Sequence, residues 1–272
     1  MPSSSPAPWP YPRWIAHRGA GKLAPENTLA AFRLGAAHGF RMFECDVKLS
    51  SDGIPFLLHD AGLERTTNAA QRWGSNGSAL NFSGGAHSWY ALSQLDAGAW
   101  HSTPFAGEPL PTLEAIARFC ISNHFLLNIE IKATPGTERA TGEVVARHAA
   151  RLWLGQETPP LLSSFDVESL HGALAAVPAL PRALLVDQLP DRSWDACLQQ
   201  AHDLQCRALV CHNPLWNAER CSQAAGAGLQ ALCYTVNTAE DAQRLEALGV
   251  AGIITDQVHQ LGPGAALRRA SP

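Results

Sequence analysis

The sequence predicts an α/β protein, a (β/α)8 TIM barrel with a small insertion after the second strand. Three observations support this fold class: strand-like and helix-like segments alternate along the chain, eight strand-like segments enter that alternation, and there are 272 residues. Alternating units of this kind imply a parallel sheet, and a closed barrel of eight typically needs about 250 residues. The alternative is an open doubly wound sheet. It usually carries G-x-G-x-x-G after its first strand, which residues 17–21, HRGAG, do not match.

The first elements are short. A strand is predicted at 14–16, and helical periodicity covers 28–38 after Asn27, which we expect to be the N-cap. Alternation with period two predicts the second barrel strand at 42–49, and 54–58 is a further extended piece joined to it by a tight turn.

The regular order stops at about residue 61 and returns at about residue 108. This segment is rich in Gly, Ser, Asn and Trp, and so long a stretch without a period is usually functional or a small subdomain. We therefore predict a compact insertion at about 61–108. Trp73, Trp89 and Trp100 would form its miniature core.

The remaining segments alternate without interruption to the end of the barrel. Strands are predicted at 125–132, 161–165, 183–186, 208–211, 230–236 and 252–255. Helices are predicted at 112–122, 138–152, 167–177, 193–204, 218–225 and 239–248.

Composition excludes several classes of partner. The net charge is −4 and no long basic run is present, so nucleic acid and an anionic membrane surface are not expected partners. Residues 1–12 are Pro/Ser-rich without the pattern of a signal peptide, and we predict a flexible N-terminal arm before a barrel domain at 13–272. No segment approaches the ~18 consecutive apolar residues of a membrane span. A cytoplasmic location is the expectation.

The seven cysteines argue against a zinc site. They lack C-x-x-C spacing and lie mostly in apolar stretches, where a reduced cysteine behaves as a small hydrophobic residue. Cys45 is expected to point away from its neighbours Glu44 and Asp46 and to pack in the core.

Carboxylates lie near the ends of two predicted strands. Glu44 and Asp46 are two residues apart and so share a face, and Glu130 ends the next barrel strand. Barrel enzymes gather their chemistry at these strand ends. Three inward carboxylates need a compensating cation, and oxygen ligands favour Mg2+ or Ca2+ over zinc. We therefore predict one divalent cation, rather than buried ion pairs that serve packing alone.

Histidines and cations occur at the same strand ends. His17 and Arg18 follow the first strand, Lys132 follows Glu130, and His59 lies on the excursion after the second strand. Arg18 and Lys132 suit a phosphate. The two histidines can move protons to and from a nucleophile and a leaving alkoxide.

The chain resembles the glycerophosphodiester phosphodiesterase family, in its short cytosolic bacterial form. The resemblance extends over nearly all of the chain after residue 13. It is carried by IAHRGAGKLAPENTLAAF at 15–32, ECDVKLSSDGIPFLLHD at 44–60, LERTTN at 63–68 and NIEIK at 128–132, with weaker matches in SSF at 163–165, YTVN at 234–237 and ITD at 254–256.

The resemblance implies metal-dependent hydrolysis of a small-molecule glycerophosphodiester to sn-glycerol 3-phosphate and an alcohol. It implies that His17 and His59 are catalytic, that Arg18 and Lys132 bind the phosphate, and that the metal ligands are Glu44, Asp46 and Glu130. It does not decide which histidine is the acid. The alternatives are a phospholipase D-like or phosphoinositide-type phosphodiesterase or lyase on the same fold, and a catalytically inactive binding barrel. Neither the preferred alcohol nor the oligomeric state follows from the sequence.

Three further residues have weaker expectations. Glu26 should brace the loop after the first strand. Tyr234 stands where many relatives have tryptophan and should affect only a wall contact. His212 follows the sixth strand, and a structural role is favoured over a place at the barrel mouth.

Overall fold

The computed structural model describes residues 9–74, 81–189 and 193–263. Residues 1–8 of the predicted arm lie outside the described residues. Tyr11, in the rest of that segment, is 6% exposed, and its hydroxyl donates to the Pro159 carbonyl at 2.9 Å. Trp9 packs against the ring of Tyr11 with centroids 4.8 Å apart. Residues 9–11 therefore pack against the barrel.

Eight parallel strands form the predicted closed barrel. The strands of the described chain are β1 Trp14–Ala16, β2 Met42–Leu49, β3 Pro55–Leu57, β4 Leu126–Ile131, β5 Leu161–Ser164, β6 Arg182–Val186, β7 Ala208–His212, β8 Gln230–Tyr234 and β9 Gly252–Thr255. The pairing runs β1-β2-β4-β5-β6-β7-β8-β9 and returns to β1, while β3 pairs antiparallel with β2 outside this circuit. The extended piece predicted at 54–58 is β3.

Helices follow most of the barrel strands. In the described residues they are α1 Leu29–Ala37, α2 Ala69–Trp73, α3 Trp89–Leu92, α4 Leu113–Ser122, α5 Glu138–Leu152, α6 Val167–Ala176, α7 Trp194–Asp203, α8 Ala218–Gly226 and α9 Ala239–Ala247. None of these helices combines the length and apolarity that crossing a bilayer requires. The prediction of Asn27 as the N-cap of α1 is wrong: the Thr28 hydroxyl caps the helix by accepting from Ala31 N.

The alternation of side chains along β2 separates two environments. Phe43, Cys45 and Val47 lie in the apolar layer between the strands and the helices, as predicted for Cys45. Met42 lies in the apolar cluster of the barrel interior. Because successive side chains of a strand point to opposite faces, Glu44 and Asp46 project to the interior side above Met42, toward the carboxyl ends of the strands.

The insertion has an apolar cluster of its own beside β3. Trp73 and Trp89 pack against it, as predicted. Trp100 is 39% exposed and donates its indole N–H to the Ala97 carbonyl instead. In the described residues of the insertion, short helices and the 3-10 turns Gly84–Ala86 and Thr103–Phe105 replace regular βα units, which explains the lack of a sequence period.

All seven cysteines are free thiols. Burial raises the pKa of Cys120 and Cys206, the latter to about 12. These side chains act in packing, as their apolar sequence neighbourhoods predicted.

Candidate active site

The loop after β1 has an unusual backbone. Arg18 and Asn27 have φ values of 50° and 61°, in the left-handed region that side chains rarely adopt. The Asn27 amide donates to the Arg18 carbonyl at 3.0 Å and ties the two residues together. Gly21, with φ 58°, lies so close to β9 that a Cβ there would be 2.1 Å from the Asp256 carbonyl oxygen. Strain of this kind concentrates at functional sites.

Three carboxylates converge at the carboxyl ends of β2 and β4. Glu44, Asp46 and Glu130 each offer an oxygen, and these atoms lie within 4.8 Å of one another. Asp46 is paired with Glu130 in the β2–β4 register, which brings them together. Asn27 holds Asp46 by donating to Oδ2 at 2.8 Å and accepting from the Asp46 amide at 3.1 Å.

The charges of this cluster are not balanced. Burial, and next the charge of Asp46, raises the pKa of Glu44 to about 8. Burial and Asp46 also raise the pKa of Glu130. Burial acts the same way on Asp46, but Arg18 and other nearby positive charges outweigh it and lower its pKa. Glu44 Oε1 is buried and accepts no hydrogen bond from the described residues. These features fit a divalent cation, which would supply the missing positive charge and a partner for that oxygen.

Two basic side chains border the carboxylates. Arg18 Nε lies 3.3 Å from Asp46 Oδ2, and its Nη1 donates to Glu26 Oε1 at 2.8 Å. Lys132 Nζ lies 2.6 Å from Glu130 Oε1 and 3.8 Å from Asp46 Oδ1. Both remain partly exposed, so an anion at the barrel mouth can reach them.

His17 is held by a carboxylate from the last strand. Its Nδ1 lies 2.6 Å from Asp256 Oδ1, and Asn237 donates to Asp256 Oδ2 at 3.1 Å. Its Nε2 lies 3.8 Å from Glu44 Oε2. Burial disfavours the charged imidazole, but the Asp256 hydrogen bond and the charge of Glu44 outweigh it and raise the pKa of His17.

His59 is also held by a carboxylate, that of the next residue in the sequence. Its Nδ1 lies 2.7 Å from Asp60 Oδ1, and Arg65 donates to both oxygens of Asp60 at 2.6 and 2.9 Å. Arg65 also makes two hydrogen bonds to Glu26, at 2.7 and 2.8 Å. Burial is the largest effect on His59 and lowers its pKa, and the charge of Arg18 adds to this. Glu26 therefore braces the loop after β1, as expected, by binding Arg18 and Arg65.

The structure brings together all seven residues predicted for the site, through ion pairs, hydrogen bonds and the carboxylate cluster: His17, Arg18, Glu44, Asp46, His59, Glu130 and Lys132. It adds Asp256, Asn237 and Arg65, to which the sequence assigned no role. The sequence could have indicated these residues, because each lies in a segment that resembles the family: Asp256 in ITD, Asn237 in YTVN and Arg65 in LERTTN.

Lys48 is a further buried polar residue that the sequence reasoning missed. It is 5% exposed, and its Nζ donates to the Lys132 carbonyl at 3.3 Å. The sequence could have indicated this residue, because Lys48 lies two residues after Asp46 and therefore on the same face of β2.

A second group of side chains occupies the mouth at the ends of β7 and β8. The Tyr234 hydroxyl donates to Asp187 Oδ1 at 3.1 Å, and His212 Nδ1 lies 3.9 Å from the same oxygen. The His212 side chain is 48% exposed. The structural role favoured for His212 is therefore wrong, because the residue lies at the mouth, outside the core.

A cavity of about 430 Å³ lies at the opposite end of the barrel, among residues such as Tyr11, Pro159 and Arg182. The guanidinium of Arg182 is engaged by backbone carbonyls, including Leu204 at 2.9 Å and Leu180 at 2.6 Å. The carboxylates and histidines of the candidate site are absent from its lining. This cavity is therefore separate from the candidate active site, which lies at the carboxyl ends of the strands.

Residues 17–260 match the glycerophosphoryl diester phosphodiesterase family. The chain belongs to this family. Membership identifies it as an enzyme, a phosphoric diester hydrolase, and confirms the resemblance found in the sequence.

Individual relatives are similar to this chain over nearly the full length of both proteins. A glycerophosphodiester phosphodiesterase of Caldanaerobacter subterraneus subsp. tengcongensis is 31% identical over 91% of this chain and 95% of its own. One from Bacillus subtilis is 29% identical over 92% of this chain and 86% of its own. The solved structure of an Oleispira antarctica phosphodiesterase, in complex with the product sn-glycerol-3-phosphate, has a TM-score of 0.80 and 29% identity. It covers 96% of this chain and 97% of that one.

Proposed function

We propose that the chain hydrolyses glycerophosphodiesters to sn-glycerol 3-phosphate and an alcohol, with one divalent cation and two histidines. The observation that carries this proposal is the buried carboxylate cluster of Glu44, Asp46 and Glu130, bordered by His17 and Arg18 at the barrel mouth. A related phosphodiesterase structure contains the product that this reaction would release.

The three carboxylates would hold the cation, which is Mg2+ or Ca2+ because the donors are all oxygens. When bound, it would polarise a phosphoryl oxygen and stabilise the charge that develops during displacement. Arg18 and Lys132 would hold the other phosphate oxygens, Arg18 through its planar guanidinium and Lys132 as a compact charge.

The two histidines would carry the protons. An ionised carboxylate can only accept a hydrogen bond, so Asp256 and Asp60 fix the proton on Nδ1 of His17 and His59. Nε2 is then the nitrogen that exchanges a proton with the substrate. One histidine takes the proton of the nucleophile, which is either water or the neighbouring glycerol hydroxyl. In the second case a water must afterwards open the cyclic glycerophosphate to give sn-glycerol 3-phosphate. The other histidine donates a proton to the departing alkoxide, so that a neutral alcohol leaves.

A coupled assay for released glycerol 3-phosphate tests this function. Purified protein is incubated with glycerophosphocholine, glycerophosphoethanolamine and bis-glycerophosphate, with Mg2+, with Ca2+ and with excess chelator. We expect glycerol 3-phosphate to form only with a cation. Release of an alcohol phosphate in its place would show that the other ester bond is cleaved. A cyclic glycerophosphate as final product would favour the lyase alternative, and inactivity on every diester would favour a binding barrel.

A further inference from the structure

Four side chains form a surface at the barrel mouth that the proposed catalytic groups do not explain. Phe165 and Asp187 directly follow β5 and β6, and His212 and Tyr234 end β7 and β8. Because adjacent parallel strands end at the same rim, these residues lie side by side. We name them the β5–β8 wall.

The β5–β8 wall consists of three aromatic rings with a carboxylate beside them. The rings of Phe165 and Tyr234 meet edge to face, with centroids 5.7 Å apart at 83°. The rings of Tyr234 and His212 lie 5.9 Å apart at 38°. Asp187 Oδ1 accepts the Tyr234 hydroxyl. Among the described residues, no hydrogen-bond donor or ion-pair partner contacts its second oxygen.

The wall is open to solvent and adjoins the phosphate side of the mouth. The Asp187 side chain is 58% exposed, and Phe165 is 38% exposed, high for a large apolar residue. Lys132 Nζ lies 5.3 Å from the centroid of the Phe165 ring. Phe165 is thus the boundary between the cation proposed to bind phosphate and the wall.

The charges on the two sides of this boundary are opposite. Lys132 and Arg18 would face the anionic phosphate, whereas the wall offers the carboxylate of Asp187 and the electron-rich face of Tyr234. An aromatic face and a carboxylate together attract an ammonium group. A substrate with a phosphate anion at one end of a short linker and an ammonium at the other matches this distribution.

We propose that the β5–β8 wall binds a positively charged ammonium headgroup and makes diesters of amino alcohols the preferred substrates. The inference rests on the proposed function and names the substrate class of that site. It assigns the headgroup end of the diester to β5–β8 and the uncharged glycerol end to the side of β1 and the insertion.

Asp187→Asn tests the inference, because it retains the shape of the side chain and removes its charge. The kcat/KM of this variant is measured on glycerophosphocholine, glycerophosphoethanolamine and bis-glycerophosphate. We expect a loss of about three- to tenfold on the two cationic diesters, equivalent to about 0.7–1.4 kcal/mol, and less than twofold on bis-glycerophosphate. Tyr234→Leu, which removes an aromatic face, should reduce activity most on glycerophosphocholine, and Tyr234→Phe should largely restore it.

The matched control is Asp203→Asn. Asp203 lies at the end of α7 with a side-chain exposure of 59%, close to the 58% of Asp187, and its replacement makes the same change in net charge. It should leave all three values unchanged. Equal losses on all three diesters in Asp187→Asn, or no loss on any, would overturn the headgroup assignment while wild-type activity leaves the proposed function intact. An inactive wild-type protein would instead overturn the proposed function itself.

Discussion

His17 and His59 have the same kind of hydrogen-bond partner, an aspartate at Nδ1, although they lie on different loops. Each donates a hydrogen bond from Nδ1–H to a carboxylate, Asp256 for His17 and Asp60 for His59. Each imidazole is therefore fixed in orientation and tautomer. This requirement applies to a group that must accept or donate a proton at one defined position.

The two histidines should be separable by their leaving-group dependence. His17→Ala and His59→Ala should each reduce turnover of glycerophosphocholine about 10²–10⁴-fold, the usual contribution of a general acid or base. A nitrophenyl diester needs little protonation of its leaving group, so it should restore turnover in the variant that lacks the acid and not in the other. The measurement is kcat on both substrates. Near wild-type kcat on glycerophosphocholine in both variants would contradict the two-histidine mechanism.

Arg65 couples the loops that carry the two halves of the site. Its guanidinium binds Asp60, which holds His59, and Glu26, which holds Arg18. Arg65→Gln should lower kcat by about 10–100-fold, as is typical when a group that orients site residues is removed. The unfolding temperature should change little, because the side chain is 44% exposed.

Arg118→Gln is the control for Arg65→Gln. Arg118 makes a comparable exposed ion pair with Glu114 on α4, at 2.7 Å, and its loss should leave kcat unchanged. If Arg65→Gln retained wild-type kcat, or if both variants lost activity equally, Arg65 would have no positioning role.

Some contacts of the site follow from local sequence rules and others do not. The convergence of Glu44, Asp46 and Glu130 follows from local rules: side chains two apart share a face, and barrel strands end at one rim. The pairing of His17 with Asp256 spans 239 residues and exists only because β9 closes against β1. No local pattern contains that information.

The packing of α5 against α6 depends on two glycines. A Cβ on Gly142 would lie 1.9 Å from the Ser169 carbonyl oxygen, and one on Gly172 would lie 2.0 Å from the Arg139 carbonyl oxygen. Gly172→Ala should therefore separate the helices and lower the free energy of unfolding by about 1–3 kcal/mol, as overpacking does. Thermal and urea denaturation measure the change.

Gly226, in the last turn of α8, is the matched glycine, because a Cβ there would meet no atom within 4 Å. Gly226→Ala should be neutral or stabilise by up to about 1 kcal/mol, since alanine favours the helix. Equal effects of the two substitutions would show that the α5–α6 contact is not tight.

The elements themselves were largely predictable, and the exceptions have physical causes. The strands at 14–16, 42–49 and 252–255 have the predicted bounds, because each is a short apolar or alternating run between turn residues. The strand predicted at 230–236 ends at Tyr234, and Asn237, just beyond it, binds Asp256 instead of continuing the strand. The insertion resisted prediction because its helices, such as Trp89–Leu92, are only one turn long.

The carboxylate cluster of Glu44, Asp46 and Glu130 connects function to the stability of the whole barrel. Glu44, Asp46 and Glu130 belong to β2 and β4, whose pairing extends over six residue pairs, so their repulsion acts directly on the barrel wall. A cation that binds the folded site and not the unfolded chain stabilises the fold by mass action, about 2.7 kcal/mol at a concentration 100 times Kd.

Chelated protein should therefore unfold at a lower temperature than protein with Mg2+ or Ca2+, and the shift should grow with the logarithm of the cation concentration. Glu44→Gln should abolish most of this shift, because it removes one ligand and the charge that attracts the ion, whereas Glu114→Gln on the surface of α4 should retain it. Calorimetric unfolding across a cation titration gives the measurement without any substrate. A cation shift of the same size in Glu44→Gln as in the wild type would mean that the ion binds elsewhere, and the assignment of these three carboxylates as the metal ligands would then fail.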